Sequence, residues 1–270
     1  MSDAVLVTQR GSLGIATLNR PKERNPLDPV TAPALLDAMR SLFADDSVRS
    51  VAIAGAGEAF CAGGNLRQMG RFRELAAHEA YAWPEAIVEL HRLMLRAPKP
   101  VVAAVDGPAY AGGMGLAGMC DIVLATERSS FALPETRVGM FPMIIVAHLS
   151  RSVPRKALLE MLLTGDPIDA AEAYRLGFVN RIYPDRHALE EGLDDYAARF
   201  VRSSPQAIRL GRRAFSLLAD LPAEQALDAA PFLNLPFFLG ADLEEGANAF
   251  LERRQPHWAG TNTNLRDTQP

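Results

Sequence analysis

The chain has 270 residues, of which 49% are hydrophobic and 22% charged, long enough to bury a sizeable core and too apolar for a disordered chain. The net charge of −4, with no basic run longer than two residues, argues against a nucleic-acid partner. No apolar run approaches the ~20 residues that span a bilayer, no basic flank precedes an apolar stretch at the N-terminus as in a signal peptide, and the only cysteines, Cys61 and Cys120, are too few for a disulfide framework, so a soluble protein of the reducing cytoplasm is expected.

Residues 4–10 and 13–19 alternate or run apolar around Gly11-Ser12, the pattern of a β-hairpin. Residues 20–26 read as a loop. A helix follows with Leu35, Leu36, Met39, Leu42 and Phe43 on one face. Its start has two candidates, Asp28-Pro29 and Thr31-Ala32-Pro33, because each looks like a cap followed by an early proline. Residues 50–54, 100–105 and 121–125 are short, fully apolar runs, as expected of strands buried on both faces. Residues 155–164 read as a helix stopped by Gly165. Residues 169–176 read as another, with Asp169 as cap, Glu172 three positions on and Gly177 as the stop. Residues 179–183 suit one more strand, and everything from about Arg186 is helix or loop. The expected organisation is a mixed α/β core over residues 1–200, followed by a helical region over 201–270 that packs on the core or on a neighbouring subunit.

In open α/β sheets, ligands bind beyond the carboxyl ends of the strands. Two glycine-rich loops follow the first two buried strands: residues 55–65, containing Cys61-Ala62-Gly63-Gly64-Asn65, and residues 106–115, containing Ala111-Gly112-Gly113-Met114-Gly115. If Gly112 and Gly113 open a helix, their N–H groups are free donors at its positive end. One such donor from each loop, gripping one carbonyl oxygen, would make an oxyanion hole. The plainer reading is that these glycines only form tight turns. Gly113, Gly115 and Gly118 also match the dinucleotide fingerprint by letter, but the next apolar run begins three residues after Gly118, too soon for the full helix that fingerprint needs. A third stretch, residues 131–142, carries Glu135 after Pro134 among Leu133, Val138, Met140 and Phe141. Alone it would be a solvated side chain; among apolar neighbours its pKa would rise and suit acid/base work.

Taken in order, these motifs resemble the crotonase, or enoyl-CoA hydratase/isomerase, superfamily over nearly the whole chain. Asn19-Arg20-Pro21-Lys22 resembles its first-loop signature. The run from Gly57 to Leu66 resembles its first oxyanion loop, with Asn65 where many members have Asp. The run from Ala104 to Gly113 resembles the second, and Pro134-Glu135 its Pro-Glu signature. Thr164-Gly165, Ala170-Ala171-Glu172-Ala173, Gly177-Phe178-Val179-Asn180 and the closing stretch from Glu245 to Arg254 continue the match.

The resemblance implies a spiral of repeated ββα units whose C-terminal helical region trimerises, giving a homotrimer or a homohexamer. It implies an acyl-CoA thioester as substrate, with coenzyme A part of that substrate and no separate cofactor. It assigns the oxyanion hole to the N–H groups of Gly64 and Gly112 and acid/base work to Glu135. The CoA site falls to the Ala62 backbone at the adenine, beside Gly63, and to Lys22 and Arg24 at the phosphates, with Arg253 or Arg254 reaching a neighbour's CoA. For these cations a solvated surface role is the alternative.

Many hydratases of the family carry a second glutamate, at the position of Gly115 here. A lone Glu135 fits double-bond isomerisation with fewest assumptions, while the family at large points to hydration. Outside the class, the alternative is a relative that binds acyl-CoA without turning it over. The bulky Met143-Ile144-Ile145-Val146 either reshapes the acyl site or fills the core. His148 is read as a structural histidine, with a second acid/base role as the alternative. No metal site is expected, because His78, His91, His148, His187 and His257 lack ligand spacing. No Gly-x-Ser-x-Gly elbow of an α/β-hydrolase is present.

Overall fold

The computed structural model describes residues 3–258. Strands β1 (Val5–Arg10) and β2 (Leu13–Leu18) form the expected hairpin, with Arg10 opposite Leu13. A 3₁₀ turn, Pro21–Glu23, lies in the loop that follows. Of the two proline-marked starts, α1 (Thr31–Ala44) takes the later, and Leu35, Leu36, Met39 and Leu42 face inward. Asp28 serves that start from outside the helix. Its Oδ1 accepts from the N–H groups of Val30 and Thr31, both at 3.1 Å, and its two oxygens hold Arg20 Nη1 at 2.6 and 2.7 Å.

After β3 (Ser50–Gly55) and the first glycine loop come three helices, α2 (Leu66–Met69), α3 (Ala77–Ala82) and the longer α4 (Glu85–Leu95), which buries Leu90, His91 and Met94. Next are β4 (Val101–Val105), β5 (Pro108–Tyr110), α5 (Gly112–Gly118), β6 (Ile122–Thr126) and β7 (Ser130–Ala132). Helices α6 (Met143–Ser152) and α7 (Arg155–Thr164) follow, then β8 (Ile168–Asp169), α8 (Ala170–Arg175) and β9 (Arg181–Tyr183). The Asp169 carboxylate caps α8 by accepting from Glu172 N–H at 2.8 Å, as its spacing predicts. The chain ends in α9 (Arg186–Val201), α10 (Pro205–Leu218), α11 (Ala223–Phe238) and α12 (Ala241–Leu251).

The strands form two sheets. Six make the order β1-β2-β3-β4-β6-β9, and three make β5-β7-β8. In the larger sheet β2, β3, β4, β6 and β9 run parallel. Its faces are both covered, one by a cluster that includes Leu35, Met39 and Met94, the other by Leu189, Leu193 and Ala197 of α9. That double burial is why the central strands read as unbroken apolar runs.

The chain winds as a spiral. A strand of the large sheet is followed by a short strand of the small one and then by a helix, as in β4–β5–α5. In the turn before it, the short strand shrinks to Cys61, which bridges Ala109 of β5 in parallel, and α2 follows. In the turn after it, β7 lies parallel to β5, with Phe131 opposite Ala109. The short segments of successive turns therefore lie side by side, and so do the residues that leave them.

The expected boundary at residue 200 falls at the end of α9, and the final part of the 201–270 region lies outside the described residues. Helices α10 and α11 bury no residue, and Phe215, Phe232, Leu239 and Phe250 are exposed. Among the described residues, no helix is long and apolar enough to cross a membrane.

The first glycine loop is held from outside. Asn25 is fully buried and adopts φ +53°, a conformation Asn tolerates better than other non-glycine residues. Its Nδ2 donates to the carbonyls of Ala56 (2.9 Å), Ala59 (2.8 Å) and Phe60 (3.2 Å), and its Oδ1 accepts from Arg20 N–H at 2.9 Å. Replacing Asn25 with Ala strands these groups and should cost about 2–3 kcal/mol of stability in chemical denaturation. Asn25→Gly, which relieves the φ penalty, should lose nearly as much. A glycine variant as stable as the wild type would show that backbone conformation alone sets the loop.

Candidate active site

A cavity of about 640 Å³ opens where the chain leaves Cys61, β5 and β7, and Ala62, Gly64, Gly112 and Glu135 all line it. The local order follows from the small sheet. Tyr110 N–H donates to the Cys61 carbonyl at 2.9 Å, and Ala111 N–H donates to the Ala132 carbonyl at 2.8 Å. Ala111 has φ +52° and ψ −125°, a strained conformation for a residue with a Cβ. It turns the chain from β5 into α5, so that Gly112 is the first helical residue. Gly63 sits against this turn with φ +85°. A Cβ there would come within 2.5 Å of the Ala111 Cβ and 3.1 Å of Gly112 N, so the two glycine loops touch only because position 63 has no side chain. Among the described residues, neither Gly64 N–H nor Gly112 N–H donates to a protein acceptor. Gly63 itself is buried behind the cavity wall, and its carbonyl accepts from Leu27 N–H at 2.8 Å.

Glu135 stands on the 3₁₀ turn Pro134–Val138, directly after β7. Its Oε2 is buried and has no hydrogen-bond partner among the described residues. Burial pushes its pKa up to about 7. Met140, Phe141 and Ile145 share the cavity wall with it. The predicted acid/base side chain and both predicted amide donors are thus gathered on one cavity.

The position of the absent second carboxylate is filled by hydrocarbon. Gly115 is buried in α5, and a Cβ on it would overlap the side chain of Ile145. In the 143–146 segment Met143, Ile144 and Ile145 line the cavity, and Ile145 belongs at the same time to the core, on which Val146 also packs. His148 lies outside the cavity wall. Its Nε2 bonds the Gly115 carbonyl at 2.9 Å, its ring lies 4.9 Å from that of His91, and burial takes its pKa down to about 3, so it is a neutral structural group. The seven-residue α5 is also too short for a dinucleotide fingerprint. Among the described residues no His, Cys, Asp and Glu cluster suits a metal ion.

Lys22 and Arg24 lie on the exposed 3₁₀ turn before α1 and at its end, outside the cavity wall, and neither makes an ion pair among the described residues. Arg24 reaches the site through its backbone, since its carbonyl accepts from Ala62 N–H at 2.9 Å. Arg254 is engaged by Glu245 and Glu252, both at 2.6 Å. Asn65, where Asp is common in the family, caps α2 by accepting from Arg67 N–H at 3.2 Å. Sequence reasoning missed the wall built by α2 to α4, where Gln68 lies beside Phe72 and Trp83, rings packed edge-to-face at 4.8 Å. Gln68 and Phe72 stand on or beside elements of only three or four residues, too short to show a period.

Because folding raises the Glu135 pKa, the native state holds this proton more tightly than the unfolded chain does. The stability this confers is complete below the usual carboxyl pKa of 4.5 and is lost as pH rises through about 7. Glu135→Gln should flatten that decline, so the variant gains stability relative to the wild type between pH 5 and 8. Parallel melting curves across that range for the two proteins would contradict the buried-carboxyl assignment.

Comparison with known proteins converges on one family. The enoyl-CoA hydratase/isomerase family model matches residues 8–261. A Thermus thermophilus protein carrying the name "Putative enoyl-CoA hydratase" is 38% identical over 250 residues, 93% of this chain and 98% of the relative. A carnitinyl-CoA dehydratase of Citrobacter koseri is 33% identical over 266 residues, 96% of this chain and all of the relative. The crystal structure of an enoyl-CoA hydratase from Mycobacterium smegmatis superposes with a TM-score of 0.88 at 33% identity, covering 94% of this chain and 98% of that one. The α/β spiral described above is the crotonase fold of these structures, and the chain belongs to the enoyl-CoA hydratase/isomerase family.

Proposed function

We propose that the protein processes enoyl-CoA thioesters, with Glu135 as the single acid/base and the N–H groups of Gly64 and Gly112 holding the thioester oxygen. The observation that carries this reading is that Glu135, whose buried Oε2 has no partner among the described residues, lines the same cavity as two amides that have no protein acceptor among those residues. Removing a proton beside the thioester, or adding water across the neighbouring double bond, drives negative charge onto the thioester oxygen. Two donors aimed at that oxygen, one at the N-terminus of α5, stabilise the charge where it develops; each is worth about 3–4 kcal/mol of barrier. A carboxyl with a pKa near 7 is present at neutral pH as both acid and base. Coenzyme A enters as part of the substrate and no other cofactor is called for. Lys22 and Arg24, exposed and without ion pairs, suit its phosphates. The Ala62 backbone suits its adenine, and Gly63 keeps the two loops close.

Two reactions draw on this arrangement. The names of the relatives support hydration. In that reaction a protonated Glu135 gives its proton to the carbon next to the thioester, while its second oxygen takes one from the water that adds. The hydrocarbon at Gly115 favours the other reaction, double-bond isomerisation, in which one carboxyl removes a proton from one carbon and returns it to another. Either suits fatty-acid or related acyl-CoA breakdown in the cytoplasm. The exposed Phe215, Phe232 and Phe250 on α10 to α12 suit burial against further copies of the chain, as a homotrimer or homohexamer.

Glu135→Gln should lower turnover ~10²–10⁴-fold, the range for one acid/base group, while acyl-CoA binding is kept; near-normal turnover would remove Glu135 from the chemistry. A panel of 2-enoyl-CoA and 3-enoyl-CoA substrates run in H₂¹⁸O reads the reaction directly: label in the product marks hydration, and a moved double bond without label marks isomerisation. Light scattering should give at least three times the chain mass. Phe232→Asp should lower that mass, and a monomeric wild type would end the assembly reading.

A further inference from the structure

The cavity wall is mostly hydrocarbon, and its polar and charged members are Asp28, Asn65, Gln68, Glu135 and Arg137. Three of these are already engaged by the protein. Asp28 holds Arg20 and the start of α1. The Asn65 side-chain carbonyl accepts from Arg67 N–H. Arg137 donates to the Thr164 carbonyl at 2.9 Å and pairs with Asp166. Gln68 and Glu135 are different: each has a buried side-chain oxygen, Oε1 and Oε2, without a partner among the described residues. A buried carbonyl left unpaired costs free energy that an occupant recovers by donating a hydrogen bond. For Glu135 the reaction supplies the reason. For Gln68 the acid/base chemistry supplies none, yet α2 holds it close to the oxyanion loop. Gly64 is two residues before α2, and the thioether of Met69, next to Gln68, packs on Gly64.

We infer that Gln68 is a specificity-determining residue whose buried amide oxygen accepts a hydrogen bond from an O–H group delivered into the cavity by the reacting species. Two sources supply that chemistry: a hydroxyl carried on an otherwise apolar acyl group, or the water that adds to the double bond. The first makes the substrate class a hydroxylated enoyl-CoA whose apolar remainder lies against Phe72 and Trp83. The second gives the water a fixed acceptor in a site whose other flank, at Gly115 and Ile145, is hydrocarbon. The inference rests on the enoyl-CoA reading above.

The test compares wild type with Gln68→Met, which keeps the length of the side chain and removes the acceptor, and with Gln68→Ala. The substrates are a plain 2-enoyl-CoA and a set of equal carbon count bearing a hydroxyl at successive chain positions. With an acyl hydroxyl as the source, wild type prefers one hydroxylated member about tenfold or more in kcat/KM. Both variants abolish that preference, bringing kcat/KM for the hydroxylated member down to that for the plain substrate. With water as the source, the variants lower kcat for hydration of the plain substrate about tenfold or more, leave KM unchanged, and leave solvent exchange of the proton beside the thioester intact. Unchanged kinetics throughout would overturn the inference. So would an equal weakening of every thioester and of free coenzyme A, which would assign Gln68 to the pantetheine arm or to the fold. Calorimetric binding of the same acyl groups as unreactive CoA thioethers reads the acyl-hydroxyl source without turnover. If wild type turns over no member of the panel, it is the activity reading that fails, and the thioether comparison still decides whether Gln68 selects a hydroxyl.

Discussion

The site depends on a short ladder of backbone pairing. Cys61, Ala109 and Phe131 lie side by side, one from each of three successive turns of the spiral. Each is followed within a few residues by a group on the cavity: Gly64 after Cys61, Gly112 after β5, and Glu135 after β7. Parallel pairing sets neighbouring strands about 5 Å apart, so groups separated by tens of residues in sequence emerge along one edge. Backbone hydrogen bonds carry this alignment, which frees the side chains beyond them for chemistry.

Several conformational costs are concentrated around that edge. Ala111 is held at positive φ, and Gly63 and Gly107 take conformations that L side chains rarely adopt. Asn25, also at positive φ, commits its side-chain Nδ2 to three carbonyls of the first glycine loop, while its Oδ1 accepts from Arg20 N–H. The second loop starts at Asp106, whose carboxyl is held down at about 2 although burial opposes this. Arg128, Arg186 and Thr126 all donate to it. Strained turns persist only where their surroundings over-determine them, and here those surroundings are hydrogen bonds to loop carbonyls and a buried ionic cluster. Among the described residues the Gly64 and Gly112 N–H groups beside this network have no protein acceptor.

The electrostatic character of the site follows from what is missing around Glu135. No cation pairs with it among the described residues, and Ile145 on the same cavity fills the space at Gly115. A carboxyl in such surroundings keeps its proton to higher pH. One carboxyl balanced between its two forms could both give and take a proton, and this is what the proposed reaction asks of Glu135 in a chain that has glycine at position 115.

Much of this was legible in the residue order. The hairpin, the buried strands, the capped α8 and the glycine loops all announce themselves through local period, caps and turn residues, which depend on near neighbours alone. Glu135 and the two glycine amides were legible as candidates because their motifs recur in a fixed order along the chain. What local pattern left open was settled by contacts across the chain. Asn25 looked like a loop residue, yet it is the pin of the first glycine loop. The short helices α2 and α3 and the turn between them showed no clear period, yet they bring Gln68, Phe72 and Trp83 to the wall. Ile145 and Gly115, thirty positions apart, had no visible relation until α5 and α6 packed together. The sequence alone determined the elements, the family pattern and the chemical type of each candidate group. Tertiary structure alone decided which groups share a cavity and which polar atoms there lack partners, because burial and hydrogen-bond satisfaction belong to the packed chain and to no single segment of it.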